Sequence, residues 1–342
     1  MKKIFITGIC GFVGSSLASF FHQKNYKVYG IDNLSRSGSF KNFLKLKKSG
    51  IQILKKDLSS NSYLNKFFIK KNSFDIIIHC AAFTSVLDGT NEITTKQLYE
   101  NNILSTLGAL EIAKHFKSKF IYISSSRVYS INLLNSLKLK YKKMYRPSRN
   151  NLNGLSNHGV QENFSTSPPL SLYGSSKIIS ENLIQEYCEL NNLSFVINRC
   201  GLIAGSGQLY KNDQGIVSFW INSWKKKKKL SYIGFNGYQT RDCLHPYDLA
   251  TLIKLQLKKI KKLRGKRIFN VSGGVESAFS LKELSQWCSQ NIFFKKITSI
   301  KKKRIFDVKW LVLDNSKVKK YFNWKIKYSK RRIFNNILKE ND

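Results

Sequence analysis

At 342 residues, 42% of them apolar, the chain suits one large α/β unit with an appended lobe, or two domains at roughly 150 residues each. No apolar run approaches the roughly 18 residues of a membrane span, and six scattered cysteines (Cys10, Cys80, Cys188, Cys200, Cys243, Cys288) without a C-x-x-C pair read as buried reduced thiols of a cytoplasmic protein. The net charge of +39 would suit a nucleic-acid partner, but Lys, Asn, Ile and Phe are all abundant and Pro numbers four, so the excess reads as compositional drift; no nucleic-acid partner is expected, and the positive field favours an anionic nucleotide substrate.

The opening imitates a signal peptide, with Lys2-Lys3, an apolar stretch and small residues near Ala18-Ser19. The glycines of ITGICGFVG argue against export. Gly8, Gly11 and Gly14 directly follow the strand-like run Ile4-Phe5-Ile6. A strand, a glycine turn and a helix starting near Phe12-Val13 make a pyrophosphate cradle, because free backbone N–H groups face the anion.

Strand-like runs follow at Lys27–Ile31, Ile51–Leu54, Asp75–His79, Phe120–Ser124 and Ser194–Asn198, after Lys3–Thr7. Helical patterns cover Phe12–Asn25, Asn61–Lys71, Leu98–Phe116 and Ser175–Asn191. This alternation predicts a parallel sheet with helices on both faces, and right-handed crossovers place the strand C-termini on one edge. Ser130–Pro169 breaks the rhythm. It is polar, ends in Pro168-Pro169 and reads as an insertion over the active-site edge. After Cys200 the pattern is irregular, with Ser280–Gln290 as a capped helix, which suggests a smaller substrate lobe. The expected division is a dinucleotide domain of 1–200 plus roughly 235–270, and a substrate lobe of 201–234 and 271–342.

Asp32 ends the second strand, 18 residues beyond Gly14. A carboxylate there accepts hydrogen bonds from the adenosine ribose and repels a 2′-phosphate, favouring NAD over NADP; Arg36 tempers this slightly. Asp57 ends the third strand as an adenine contact or a simple turn residue. In HCAAFTSV, Ala81 and Ala82 allow a cofactor to approach closely, and His79 reads as a satisfied core histidine. The five histidines show no metal spacing, and no metal is expected. ISSSRVY ends the fifth strand with hydroxyls that can hold a substrate oxygen. In SLYGSSK, Tyr173 and Lys177 lie four apart on one helix face, where the ammonium would lower the phenol pKa and make it a usable acid or base.

These motifs resemble the extended short-chain dehydrogenase/reductases, the NAD-dependent nucleotide-sugar epimerase and dehydratase family. The marks run from residue 1 to about 325: GICGFVG, Asp32-Asn33-Leu34, Asp57-Leu58, HCAA, Asn102 in NNILSTLGALE, SSSRVY, YGSSK, Arg199 and RDCLHPYD. The resemblance implies a Rossmann-type doubly wound sheet with a smaller mixed α/β lobe, and NAD held by Gly8, Gly11, Phe12, Val13, Gly14, Asp32, Asn33, Asp57, Leu58, Ala81, Ala82, Tyr173, Lys177 and Cys200. It makes Tyr173 the acid/base, Lys177 the ribose holder, Asn102 a brace of the active-site helix and Arg241 the nucleotide diphosphate ligand. The family's catalytic Ser/Thr lies three residues before its Val-Tyr pair, which gives Ser125. Ser126, Arg127, Gln208 and Gln214 join Ser125, Tyr173 and Arg241 around the substrate. A homodimer or homotetramer is implied, through helices including Leu98–Phe116 and Ser175–Asn191.

Departures narrow the reaction. Sugar 4,6-dehydratases carry Asp-Glu directly after that Ser/Thr, where this chain has Ser126-Arg127. The 3,5-epimerase/reductases carry a cysteine at the Arg127 position. UDP-galactose-type 4-epimerases have Asn where Leu202 stands. The segment from Asn198 to Trp224, with Asp213-Gln214-Gly215, the SRVY form and Phe306-Asp307…Asp314-Asn315…Trp324, is closest to the CDP-paratose (tyvelose) 2-epimerase branch. The implied reaction is inversion of carbon 2 of a CDP-3,6-dideoxyhexose, an O-antigen precursor, by transient oxidation with tightly bound NAD. A UDP-hexose 4-epimerase is the alternative, and a non-catalytic NAD- or RNA-binding scaffold the alternative of another class.

Overall fold

The structure is a computed structural model and describes residues 1–60, 73–90, 93–148, 152–210, 214–263, 265, 267–301 and 304–340. The expected helix at Asn61–Lys71 lies outside the described residues. Among the described residues seven strands form the main sheet: β1 (Lys3–Thr7), β2 (Lys27–Asp32), β3 (Gln52–Lys55), β4 (Ile76–His79), β5 (Lys119–Ser125), β6 (Phe195–Cys200) and β7 (Ile268–Val271). They run parallel in the order β7-β6-β5-β4-β1-β2-β3. The order reverses between β1 and β4, and such a switch point opens a crevice at the strand C-termini.

Alternation along each strand decides which face a side chain supplies. Ile4, Ile6, Val196 and Cys200 join Leu17 and Phe21 of α1 (Phe12–Gln23), together with Leu249 and Ile253 of the helix Pro246–Lys259, in one buried layer. Phe5, Phe120, Phe195 and Ile197 face the other way. They pack on Ala109 and Leu110 of the helix Ser105–Phe116 and on Ile184 of the helix Leu172–Leu190. Each such fully buried side chain is worth about 1.5–3 kcal/mol.

A second sheet joins Leu202–Ile203, Thr240–Leu244, Ala278–Ser280 and Trp310–Leu311. The helix Leu281–Asn291 starts there, with Ser280 and Glu283 forming a reciprocal capping box. Ser130–Pro169 has regular structure of its own: a helix at Ile131–Ser136 and hairpins at Leu139–Pro147 and Leu155–Val160. Its dispersed apolar residues Leu134, Leu137, Met144, Val160 and Phe164 are buried against Val308–Leu313, which anchors a stretch that looks polar on average. No helix among the described residues is long and apolar enough to cross a membrane.

Candidate active site

The glycine turn is shaped by contacts that leave no room for side chains. Gly8 has φ +63, and a Cβ there would lie 2.8 Å from the Ala81 backbone just beyond β4. A Cβ on Gly14 would lie 2.2 Å from the Gly8 carbonyl oxygen, so glycine lets α1 pack this closely on β1. Gly11 donates its N–H to Gly8 O (3.1 Å) and precedes Phe12 and Val13 at the start of α1, where no side chain caps the helix. An uncapped helix N-terminus leaves N–H groups and a positive dipole end available to an anion.

Asp32 ends β2 with both oxygens braced by backbone: Cys10 N–H at 2.9 Å and Leu34 N–H at 2.8 Å. Burial raises its pKa, against those two hydrogen bonds. Asn33 uses its amide to donate to Asp57 (2.8 Å). Burial pushes Asp57 up, but hydrogen bonds from Ser59 and Asn33 outweigh it and hold the carboxyl below its ordinary range. Leu58 is buried in the core layer below. Ala81 N–H donates to Thr7 Oγ1 (3.2 Å), and Ala82 follows as a partly buried small residue. Arg36 donates to Leu209 O (2.8 Å) and Thr84 Oγ1 (3.3 Å).

Tyr173 stands in the first turn of the helix Leu172–Leu190, which begins three residues earlier than its apolar pattern predicts because Ser171 caps it through Gly174 N–H. The Ser125 hydroxyl accepts the Arg127 N–H (3.1 Å) and lies near enough to the Tyr173 phenol to pull its pKa down. Ser124, one residue earlier, is committed to Glu181 (2.5 Å). Cys200 ends β6 directly beside Ser125 in register. Lys177 is buried, donates to Ile123 O (3.1 Å) and lies 4.8 Å from the Tyr122 ring centroid and 6.0 Å from that of Tyr173. The depression of the phenol pKa expected from Lys177 is outweighed by burial. Burial pushes Tyr173 up to about 12, opposed by the Ser125 hydrogen bond and the charge of Arg127. Burial likewise pulls Lys177 down to about 8. Low-dielectric surroundings disfavour both charged forms, and this outweighs the spacing.

Asn102 braces from the side. Its amide donates to Ser176 Oγ (2.9 Å) and accepts Phe83 N–H (2.7 Å). It lies in a π-helical turn, Glu100–Leu104, between the helices Thr95–Tyr99 and Ser105–Phe116. On the other wall, Arg241 is held by Asp307 (2.7 Å), Val308 O (2.9 Å) and Thr240 O (2.7 Å). Arg127 donates to Phe306 O (3.3 Å), and Ser126 lines the same small pocket with Phe306 and Val308. Gln208 has both amide ends engaged, to Ile203 O (2.9 Å) and from Ser218 Oγ (2.8 Å), so it acts as a tie within the lobe. Gln214 donates to Thr84 Oγ1; its neighbour Asp213 lies outside the described residues.

The sequence profile of the NAD dependent epimerase/dehydratase family matches residues 4–272. The chain belongs to that family. Among its relatives, a dTDP-D-glucose 4,6-dehydratase of Dictyostelium discoideum is 32% identical over 76% of this chain and 56% of its own length. A CDP-paratose 2-epimerase of Salmonella typhi is 28% identical over 96% of this chain and 95% of its own. The crystal structure of UDP-glucuronic acid 4-epimerase from Bacillus cereus, in complex with UDP-glucuronic acid and NAD, has the same fold, with a TM-score of 0.77 at 24% identity over 98% of both chains. The family's cofactor is NAD, and the residues present fit it. The glycine cradle would be filled by any Cβ, the first helix is uncapped, and Asp32 is pre-set by two backbone N–H groups.

A polar layer under this epimerase/dehydratase site is not evident from the motifs alone. Glu181, eight residues after Tyr173 on the same helix face, pairs with Arg199 (Oε2 to Nη2 2.7 Å), and both are buried. Arg199 also donates to Glu162 O (3.0 Å) and to the Tyr129 hydroxyl (3.4 Å). His79 bridges Thr7 (2.7 Å) and Thr106 (3.0 Å) and stacks on Tyr122 at 5.5 Å. In the sequence this layer shows as the four-residue spacing from Lys177 to Glu181, as Arg199 among the family marks and as His79 read as a satisfied core histidine.

Proposed function

We propose that the chain is an NAD-dependent nucleotide-sugar epimerase that inverts carbon 2 of a CDP-3,6-dideoxyhexose, as in conversion of CDP-paratose to CDP-tyvelose. One observation carries the reading: Tyr173, Ser125 and Lys177 gather at a sheet edge beside the glycine cradle, with Ser126-Arg127 in place of an acid pair. The near full-length match to the Salmonella enzyme supports the substrate.

In this reading Gly8, Gly11, Phe12, Val13 and Gly14 hold the pyrophosphate of NAD, Asp32 its ribose, and Asn33, Asp57 and the Leu58 main chain the adenine side. Ala81, Ala82 and Cys200 line the approach to the sheet edge. Residues 1–200 with the helix Pro246–Lys259 make the cofactor half, and the lobe built on the second sheet covers the sugar. NAD bound there supplies a hydride acceptor and donor. Tyr173 takes the proton of the sugar hydroxyl and later returns it. Ser125 hydrogen-bonds the same oxygen and stabilises the charge that develops on it. Lys177 holds the ribose hydroxyls of the cofactor. Asn102 fixes the helix that carries Tyr173 by holding Ser176. No carboxylate follows Ser125, so the chain supplies neither the acid nor the base that water elimination needs there. We read the exposed Leu104, Leu107 and Ile179 as the contact of a homodimer or homotetramer.

The test is an NMR product assay in D₂O, with no cofactor added, on CDP-paratose, UDP-glucose and UDP-glucuronate. The expected result is conversion of CDP-paratose to CDP-tyvelose without deuterium at carbon 2. Turnover of a UDP-sugar alone would replace this reading with the 4-epimerase one, and turnover of nothing, with NAD bound, would remove both.

A further inference from the structure

Three arginines around the site are matched unequally. Arg199 has both oxygens of the Glu181 carboxylate, one of them shared with Ser124. Arg241 has the Asp307 carboxylate and two carbonyls. Arg127 is partly buried, yet among the described residues its guanidinium makes one hydrogen bond, to the neutral carbonyl of Phe306 at 3.3 Å. A guanidinium carries five N–H donors in a fixed fork, so most of this one is unspent. The consecutive residues Phe306, Asp307 and Val308 hold both Arg127 and Arg241, with Phe306 at φ +62 in the left-handed region. One short bracket therefore sets two cations side by side on the sugar wall. Burial and the neighbouring Arg241 pull the Arg127 pKa down to about 10, against Asp307 and Tyr173. Such a pair has more positive charge than its contacts balance, and phosphate oxygens match the fork geometry.

We propose that Arg127 and Arg241 form a two-guanidinium clamp for the phosphate nearest the sugar, reaching from the diphosphate site to Ser125 and Tyr173. This deepens the epimerase reading and rests on it. The diphosphate is carried on carbon 1. When carbon 2 is at Tyr173, that phosphate must lie next to the reacting oxygen, where Arg127 is anchored through its N–H to Ser125. When carbon 4 reacts, the phosphate lies across the ring and Arg127 meets other substituents. Arg127 is thus a specificity residue for the position inverted.

The experiment is titration calorimetry of the purified protein with its NAD, using CDP and CMP as probes, on wild type, Arg127→Gln and Arg127→Lys. Arg127→Gln is expected to weaken CDP about tenfold or more and to leave CMP unchanged, because CMP lacks the clamped phosphate. Arg127→Lys keeps the charge without the fork and is expected to recover part of the loss. Equal weakening of CDP and CMP, or unchanged CDP, overturns the clamp. If thermal melting shows Arg127→Gln unfolded, Arg127→Lys decides: a several-fold loss confined to CDP supports the clamp, and no loss overturns it. If wild type binds uridine and not cytidine nucleotides, the CDP reading fails, and the same comparison with UDP and UMP tests the clamp. If Arg127→Gln weakens UDP-glucuronate alone, the anion is a sugar carboxylate and the clamp is overturned.

Discussion

On the cofactor side of the cleft, the groups come from turns a few residues long and are mostly backbone: Gly8 to Gly14, the Asp32–Leu34 turn, and Ala81 beside Gly8. On the side proposed for the sugar they are mostly side chains, those of Ser125–Arg127, Arg241 and Asp307 with the Phe306 and Val308 carbonyls behind them, far apart in the chain. A backbone site is insensitive to the identity of most side chains and intolerant of an added Cβ. A side-chain site can change its ligand by a single substitution. Within one family the cofactor can stay fixed while the sugar changes, as the dehydratase and epimerase among the relatives illustrate.

Tyr173 stands where the two sides meet, and breaking it has the largest expected effect. Tyr173→Phe should lower turnover about 10²- to 10⁴-fold with NAD still bound, read by product NMR and cofactor absorbance. Retention of a tenth of the activity would refute the role. Glu181→Gln tests the layer below both sides. It leaves Arg199 buried without its carboxylate, and loss of about 3–5 kcal/mol is expected in urea unfolding. A loss below about 1 kcal/mol, the size of an exposed pair, would show the layer to be dispensable.

Gly14→Ala sharpens the backbone side alone. A Cβ 2.2 Å from Gly8 O must push α1 away, at about 1–3 kcal/mol, and the protein should purify with less NAD. Full NAD content would show that the cradle tolerates a side chain. The most gradual effect, spread over several pH units, is a stability slope from His79, which burial, helped by the charge of Lys177, holds down at about 3. Between pH 6.5 and 3 the unfolded chain takes up a proton that the native state refuses, so stability falls as pH falls, by at most about 1.4 kcal/mol per unit. Asp242, raised by burial to about 6, works in the opposite sense between pH 6 and 3.8. Comparing wild type with His79→Gln isolates the histidine: their stability difference should shrink from pH 7 to pH 4, and a constant difference would refute it.

The parallel sheet was legible because its strands are runs of Ile, Phe and Val between helical patterns. β7 was not, since four residues after a Lys- and Arg-rich loop carry little period. Ser130–Pro169 reads as polar because its buried residues are dispersed and meet partners near residue 310. In the site, the Tyr173–Lys177 spacing is a local fact and was legible. The direction of the Tyr173 pKa was not, because it depends on burial and on Lys177 Nζ turning to Ile123 O. The shared bracket for Arg127 and Arg241 is purely tertiary, and no spacing encodes it.

The π-turn at Glu100–Leu104 amounts to one extra residue let into an otherwise continuous helical run from Thr95 to Phe116. Removing a single codon there would take out the bulge that absorbs it and let the run close as an ordinary helix. Asn102 could not then serve both Phe83 and Ser176. The bulge thus ties the length of this segment, and not only its spelling, to the hold of Asn102 on Ser176.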